Sequence, residues 1–423
     1  MDLLRILSNQ KAEIKAFKSQ QLVTRKEESL VNLDSKLAQV VIGVRRSGKS
    51  TLCQKVLIES GINFAYVNFD DENLVNLRKE DLDIVMETLY RIYGKFNHLL
   101  LDEIQNIDGW PLFVNRLLRQ GMHLVVTGSN ANLLSGELAT HLTGRYHQIV
   151  LFPFSFNEYC TAKGIDTSDF TTEAIALRKR ALDKYLLHGG FPETINDPDS
   201  RMYASFLLDA IVTKNICKRH NIRYKETLRQ MTNNILDNFC QEISVSSLAS
   251  KHQLNSVHTA KSYLSYMSNA FLVDIIPKFS FKSIERMQAR KCYAIDNAFI
   301  SGHEDALSSD SYGWRLENTV AIELRRRTIP LLQDVRYLRI PKSFEVDFVV
   351  SDRNKVSELI QVTYNFNNPS TKLYNREIGG LLKGAEKTGC KNLTLILMEG
   401  ETGSLKVGGL TVNRINAVDW LLQ

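Results

Sequence analysis

Four residues in the stretch VVIGVRRSGKSTL, 40–52, have the types and spacing needed to hold a polyphosphate: Gly43, Gly48, Lys49 and Ser50 fit G-x-x-x-x-G-K-S/T in full. The two glycines let backbone N–H groups turn inward around phosphate oxygens, where a Cβ would obstruct. Lys49 is expected to reach the β- and γ-phosphates, and Ser50 to give its hydroxyl to Mg²⁺. A helix starting near Lys49 would aim its positive N-terminal end at the anion. Arg45, Arg46, Ser47 and Thr51 fill the rest of this candidate nucleotide loop.

A second constellation follows. HLLLDEIQ, 98–105, is an apolar run ending in two acids, the pattern of a parallel strand covered on both faces, with Asp102 and Glu103 at its carboxyl end. Asp102 would hold Mg²⁺ through water, and Glu103 would orient or deprotonate the attacking water. Placed after a phosphate loop, the pair points to hydrolysis rather than binding alone. HLVVTGSN, 123–130, ends at the same sheet edge. There Thr127, Ser129 or Asn130 contacts the γ-phosphate or the water, or else Ser129 or Asn130 simply caps the next helix. FAYVNFDDEN, 64–73, reads as another strand ending in acids. Arg145, on a Gly-Arg step before an apolar strand, is either an arginine finger for a neighbouring copy's γ-phosphate, which requires an oligomer, or a surface arginine.

The elements that position these residues follow from the same pattern. A strand over 39–43 precedes the loop, and Leu52, Val56 and Leu57 give an apolar helix face after it. Together with the later strands they imply a three-layer α/β domain with a parallel sheet. With 423 residues the chain has room for several domains, and its 43% hydrophobic and 24% charged content is that of a globular protein with real cores. No apolar run approaches the length of a membrane span, and MDLLRILSNQKAEIK lacks a signal-peptide pattern. Six scattered cysteines without a CxxC pair suggest neither zinc nor disulfides and fit a reducing cytoplasm. A net charge of +6 permits a nucleic-acid or acidic partner without arguing for one.

Taken in order, GVRRSGKSTL, LLLDEIQN, VVTGSNANLL, LTGRY…LFPFSFNEY and YLLHGGFPE resemble the prokaryotic ATPases of the AAA_14 type, relatives of AAA+ enzymes that usually carry a C-terminal DUF4143 domain. The resemblance covers nearly the whole chain. It implies ATP and Mg²⁺ as ligands, and an AAA+-like core followed by a helical lid, a winged helix and a nuclease-like tail. It also implies that the Gly189-Gly190-x-Pro192 turn lies by the nucleotide base; a plain helix C-cap is the other reading of those residues.

The middle of the chain reads independently. KETLRQMTNNILDNF has helical spacing, and VSSLASKHQLNSVHTAKSYLSYMSNAFLV gives a short helix, Ser246 to His252, a turn at Asn255 and a second helix from about Val257. Leu248, Ala249, Leu254, Val257, Ala260 and Leu264 fall where a helix-turn-helix buries its apolar side. Ser256, His258, Thr259, Lys261 and Ser262 fall on the exposed face. LVDIIPKF and ARKCYAID make two wing strands, with Lys278, Lys282, Arg286, Arg290 and Lys291 as the charge available to phosphates. Such a domain either reads DNA with its second helix or serves only oligomer packing.

In the tail, WRLENTVAIELRRR (314–327), SFEVDFVV (343–350) and ELIQVTYN (358–365) resemble the restriction-endonuclease-like PD-(D/E)xK fold. Glu317 opens an amphipathic helix, Asp347 sits in an alternating strand, and a turn at Arg353 and Asn354 leads to a strand whose Leu359, Gln361 and Thr363 share a face. Gln361 takes the acid/amide position, but Thr363 stands where active members have a lysine. Lys372 or Arg376 would have to substitute for catalysis; otherwise Glu317, Asp347 and Gln361 mark a vestigial site in a binding or oligomerisation module.

The expected organisation is therefore an α/β P-loop ATPase core with its N-terminal helix over 1–155, a helical lid over 156–224, a winged helix-turn-helix over 225–305 and a nuclease-like α/β domain over 306–423. Residues 1–38 are expected to lead a helix across the nucleotide site. Three functions fit. An oligomeric machine, hexameric in one form, would use Mg²⁺-dependent ATP hydrolysis to remodel DNA or a protein on DNA. A STAND-like switch would hold its nucleotide and signal through assembly. An ATP-gated nuclease is the third, and Thr363 counts against it.

Overall fold

The apolar run Ala38–Ile42 is buried along its whole length and forms β1, the strand that delivers the chain into the phosphate loop. In the computed structural model, residues 2–17, 22–131, 142, 144–254, 256–280, 290–303, 311–353 and 355–423 are described. They fall into two units, Met1–Phe152 with Asn269–Phe271, and Pro153–Ser268 with Leu272–Gln423. The expected lid, winged-helix and tail segments thus lie in the second unit, apart from Asn269–Phe271. Asn255, Lys282, Arg286 and Asn354 lie outside the described residues.

The first unit is built on a five-stranded sheet in the order β2-β3-β4-β1-β5, with β2 Phe64–Asn68, β3 His98–Asp102, β4 His123–Gly128 and β5 Tyr146–Val150. Every neighbouring pair is parallel. Alternate residues divide the strands between two cores, as a pleated strand requires. Val40, Val67, Leu99, Leu101 and Val126 pack with the helices Leu82–Tyr93 and Trp110–Arg119. Val41, Tyr66, Leu100 and Val125 pack with Leu52, Cys53 and Leu57 of the helix Lys49–Glu59. The expected three-layer P-loop core is present. The parallel arrangement carries the carboxyl ends of β1, β3 and β4 to one edge of the sheet.

The N-terminal helix, Leu3–Phe17, does not cross the nucleotide loop. It packs against the helix Leu82–Tyr93 and against β2 at the sheet's edge. Gln10 accepts from the Asn68 N–H (3.0 Å) and donates to the Asn68 carbonyl (3.2 Å), so its amide pairs backbone groups that an edge strand leaves open.

In the second unit the helices Phe156–Ala162, Thr172–His188 and Ser200–Ala210 come first, the last running on into a π-helical stretch, Ile211–Lys218. Then follow Lys225–Asp237, β6 Glu242–Ile243, Val245–Lys251, Val257–Asn269, β7 Val273–Pro277 and β8 Arg290–Ala294, the strands forming an antiparallel sheet β6-β8-β7. The two short helices start close to where periodicity puts them. Val257 departs from expectation: it is 52% exposed, because it is the first helical residue, one turn beyond the buried stripe Ala260, Tyr263, Leu264 and Met267. Leu254 is half-buried.

The C-terminal part holds the helix Tyr312–Thr328, the strands β9 Asp334–Ile340, β10 Phe344–Asp352 and β11 Lys355–Asn365, the helix Thr371–Thr388, and β12 Leu393–Glu399, β13 Gly403–Val407 and β14 Leu410–Asn416. These strands make one mixed sheet, β13-β14-β12-β11-β10-β9. Two expectations fail here. Tyr312–Thr328 is not amphipathic; it is buried on most of its faces, and Glu317 lies one and a half turns in rather than at its start. Its polar side chains have buried partners instead of water: Asn318 donates to the Ala294 carbonyl at 3.0 Å, and Arg315 to the Ser311 and Ser301 hydroxyls at 2.9 Å each. Nor does β10 alternate, since Val346 to Ser351 are all buried by the sheet's coverage on both sides.

Candidate nucleotide site

The loop between β1 and the helix Lys49–Glu59 has the backbone a phosphate cradle needs. A Cβ on Gly43 would stand 2.1 Å from the Leu151 carbonyl oxygen, so the close approach of these two segments admits only glycine. Gly48 caps the helix in the left-handed region, φ 94°, and Arg46 is left-handed too, φ 68°. Ser47 is fully buried, and its hydroxyl has no hydrogen-bond partner among the described residues. A buried orphan hydroxyl inside an anion loop suits a ligand oxygen.

The functional side chains converge on this loop. Lys49 is 4% exposed; its Nζ donates to the Val44 carbonyl at 3.1 Å and stands 3.6 Å from Oε1 of Glu103. Ser50 Oγ donates to Oδ1 of Asp102 at 2.8 Å. The same oxygen accepts from the Thr127 hydroxyl, while Tyr66 OH donates to Oδ2 at 3.3 Å. Thr127 Oγ1 also accepts from the Glu103 N–H at 2.9 Å. Gln105 donates to Oε2 of Glu103. Of the third-strand residues, Thr127 therefore braces the two acids; Ser129 and Asn130 are buried, and Ser129 accepts from Gln105 at 3.5 Å.

Electrostatics separate the two carboxylates. Burial, then the charge of Glu103, raises Asp102 above its ordinary value, against Thr127, Ser50 and Lys49. Burial pushes Glu103 up as well, but Lys49, then Gln105 and Ser129, outweigh it and hold the carboxyl below its ordinary range. Asp102 with Ser50 thus forms an under-neutralised oxygen pair fit for a hard cation such as Mg²⁺. Glu103 stays ionised, as a base for water requires.

Arg45 pairs with Asp70 at 3.1 Å on the rim, and Thr51 is half-buried in the first helical turn. Arg145 is exposed and bonds Asn115. It precedes β5, whose Tyr146 aligns with Ala38 at the start of β1, so it occupies the sheet edge opposite the loop and does not reach Lys49 in its own chain. Gly190 and Pro192 belong to the second unit. Gly189 ends the helix Thr172–His188 with φ 72°; a Cβ there would meet Asp296 at 1.7 Å, and one on Gly190 the Phe154 carbonyl at 2.3 Å. The Gly190 N–H donates to Asp296 at 2.9 Å. Close packing against Asp296 at Gly189 and against the Phe154 carbonyl at Gly190 leaves room for glycine alone.

Sequence reasoning missed Arg25. This buried guanidinium donates to the Ser47 carbonyl at 3.0 Å and the Phe152 carbonyl at 2.7 Å, gripping the phosphate loop from outside. No local pattern marks it, because its partners are backbone atoms far along the chain. Tyr66 and Gln105 escaped notice for a similar reason: each reads as an ordinary strand or turn residue.

The tail residues do come together. Asp347 N–H donates to Oε1 of Gln361 at 3.2 Å, and Oδ2 of Asp347 accepts from the Val362 N–H at 2.9 Å. The ammonium among them is Lys291 of β8: its Nζ lies 3.1 Å from Glu317, 2.7 Å from Glu345 and 3.9 Å from Asp347, while Arg376 lines the same cleft and pairs with Glu377. Lys291 is therefore not on the exposed face of a wing. Lys278 and Arg290 are half-buried.

Comparison with known proteins places these observations in a lineage. A family model for an AAA domain, AAA_14, matches residues 35–160, and a domain of unknown function, DUF8612, matches residues 179–307. The uncharacterized protein MJ1544 of Methanocaldococcus jannaschii is 32% identical over 382 residues, 87% of this chain and 83% of that protein. An uncharacterized protein of Haemophilus influenzae is 32% identical over 413 residues, 92% of this chain and 95% of its own. Among solved structures, the Walker-type ATPase PABY2304 of Pyrococcus abyssi is 14% identical with a TM-score of 0.43, covering 67% of this chain and 96% of that one. The Thermotoga maritima RuvB Holliday junction branch migration motor is 15% identical with a TM-score of 0.28, covering 63% and 88%. Among the described residues, no helix is long and apolar enough to cross a membrane.

Proposed function

The chain belongs to the AAA_14 family of AAA-type P-loop ATPases, and from that premise we propose that it hydrolyses ATP with Mg²⁺ as an oligomer, coupling turnover to the remodelling of DNA or of a protein bound to DNA. One observation carries the reading: Glu103 and Asp102 leave β3 side by side, one facing Lys49 and the other bonded to Ser50. In this reading the loop amides and Lys49 hold the β- and γ-phosphates, and Ser50 and Asp102 hold the metal ion. The ion would neutralise charge developing on the phosphate oxygens. Glu103 takes the proton of the attacking water, and Asn130 and Ser129 orient the γ-phosphate from β4. Arg145, at the far edge of the sheet, would serve a neighbouring copy rather than its own site.

Support for the DNA side is the order helix, strand, helix, helix and two antiparallel strands over 225–294, which is that of a winged helix. His258 and Lys261 are exposed on its second helix. ATP turnover that rises with double-stranded DNA tests the coupling; indifference to DNA would leave a protein client as the target.

A nucleotide-held switch is the second reading, favoured by the restraint on Glu103, whose two oxygens face Lys49 and Gln105. Such a base must be released before each turnover. Slow hydrolysis with ADP retained through purification would favour the switch over the machine.

A further inference from the structure

A cleft of about 600 Å³ in the second unit is lined by Lys291, Glu317, Glu345, Asp347, Gln361 and Arg376, among others. Its acids match the order of a metal-dependent nuclease, so a divalent cation is the ligand the fold would imply. The arrangement does not fit one. Among the described residues, no three acidic, histidine or cysteine side chains are disposed to hold a metal ion. The point on which the carboxylates converge is taken by the ammonium of Lys291, which is 4% exposed and makes ion pairs of 3.1 and 2.7 Å to Glu317 and Glu345. Tyr293 OH donates at 2.9 Å to the same oxygen of Glu317, fixing the cage from a second side.

We infer that Lys291 is the resident cation of this cleft: its ammonium occupies the position a divalent metal would need, and Glu317, Glu345 and Asp347 serve as its cage. The inference is independent of the ATPase reading and concerns a different unit of the chain. Burying an ammonium is costly unless carboxylates surround it. Here the cage is contributed by the helix Tyr312–Thr328 and by β10, while the lysine comes from β8. Burial by itself would pull the lysine's pKa down, but Glu317, Asp347 and Glu345 hold it well above its ordinary value. The cluster therefore retains its acids for a reason other than metal catalysis, and Thr363 needs no lysine because the cation arrives from another strand.

Three carboxylates, Glu317, Glu345 and Asp347, face this one ammonium, while the buried Glu377 nearby is paired with Arg376. Removing the ammonium should accordingly create a metal site where none existed. In the nucleotide-free full chain, Mn²⁺ binding followed by electron paramagnetic resonance should be unchanged between wild type and Asp347→Asn. In Lys291→Met, which keeps the buried alkyl stem, Mn²⁺ should bind at least tenfold more tightly and raise a lowered Tm. Both effects should vanish in the Lys291→Met, Asp347→Asn double variant. Wild-type Mn²⁺ binding that is lost on Asp347→Asn would overturn the inference, as would a folded Lys291→Met chain with no gain in affinity. If Lys291→Met folds only with Mn²⁺ present, the inference is supported. Should it not fold at all, the comparison of wild type with Asp347→Asn decides alone.

Discussion

Ser50 Oγ and Asp102 Oδ1 are in direct hydrogen-bond contact at 2.8 Å, so the two groups assigned to Mg²⁺ are already aligned by each other. Thr127 donates to the same carboxylate oxygen and also receives the Glu103 N–H. One threonine hydroxyl thus registers both acids of β3 against the neighbouring strand. Ser50→Ala should raise the Mg²⁺ concentration needed for half-maximal hydrolysis by about tenfold or more, as loss of a ligand or its support typically does. ATP hydrolysis titrated with Mg²⁺ checks this. An unchanged Mg²⁺ requirement would remove Ser50 from the metal site.

Gly43→Ala tests the cradle itself. The added methyl would meet backbone, the Leu151 carbonyl at 2.1 Å, and backbone cannot swing aside as a side chain can. The variant should lose on the order of 1–3 kcal/mol of stability and bind nucleotide poorly, measured by denaturant unfolding and by titration with a fluorescent nucleotide.

Arg25 is expected to set the loop's shape without touching the ligand. Arg25→Ala leaves the Ser47 and Phe152 carbonyls without its fork of donors. Each buried acceptor so stranded costs about 1–3 kcal/mol. Nucleotide affinity should fall while Glu103-dependent turnover of bound ATP persists. Arg25→Lys should recover only part of the loss, because one ammonium cannot reproduce a bidentate geometry.

Asp296 gives a pH signature in the second unit. Burial pushes its carboxyl from 3.8 up to about 6, against hydrogen bonds from the Ala298 and Gly190 N–H groups and the charge of Arg326. A raised folded-state value means that the native chain holds this proton more tightly than the unfolded one. The contribution is therefore full below about pH 4 and is lost as pH rises through about 6, on the order of 3 kcal/mol in all. Denaturant unfolding across that range should show the wild type losing stability relative to Asp296→Asn. A gap that does not change with pH would mean that the carboxyl holds its proton no more tightly in the folded chain than in the unfolded one.

Much of the nucleotide site was legible in the sequence, because its chemistry is local. Gly43, Gly48, Lys49 and Ser50 lie within one turn and one helix start, and Asp102 and Glu103 end an apolar run whose burial its composition announces. Relations carried by long-range contacts were not legible. Arg25 binds carbonyls, which carry no residue identity, and Lys291 enters its cage from a strand well separated from the acids in sequence. The helix Tyr312–Thr328 looked half-solvated since Arg315, Asn318 and Glu323 are polar, and only the folded partners reveal that they are buried. The N-terminal helix was misplaced for a related reason. Its polar Gln10 is spent on a strand edge rather than on water or nucleotide.

Glu103 is proposed as the base of an ATPase whose phosphates are held by Lys49. Steady-state ATP hydrolysis should be measured on the full chain, with and without double-stranded DNA, for wild type, Lys49→Ala and Glu103→Gln. Hydrolysis is predicted to rise with DNA in the wild type. It should fall by about 10²-fold or more in Glu103→Gln with nucleotide still bound, and Lys49→Ala should lose binding as well. Turnover that survives Glu103→Gln would contradict the assignment of the base, whatever DNA does to the rate.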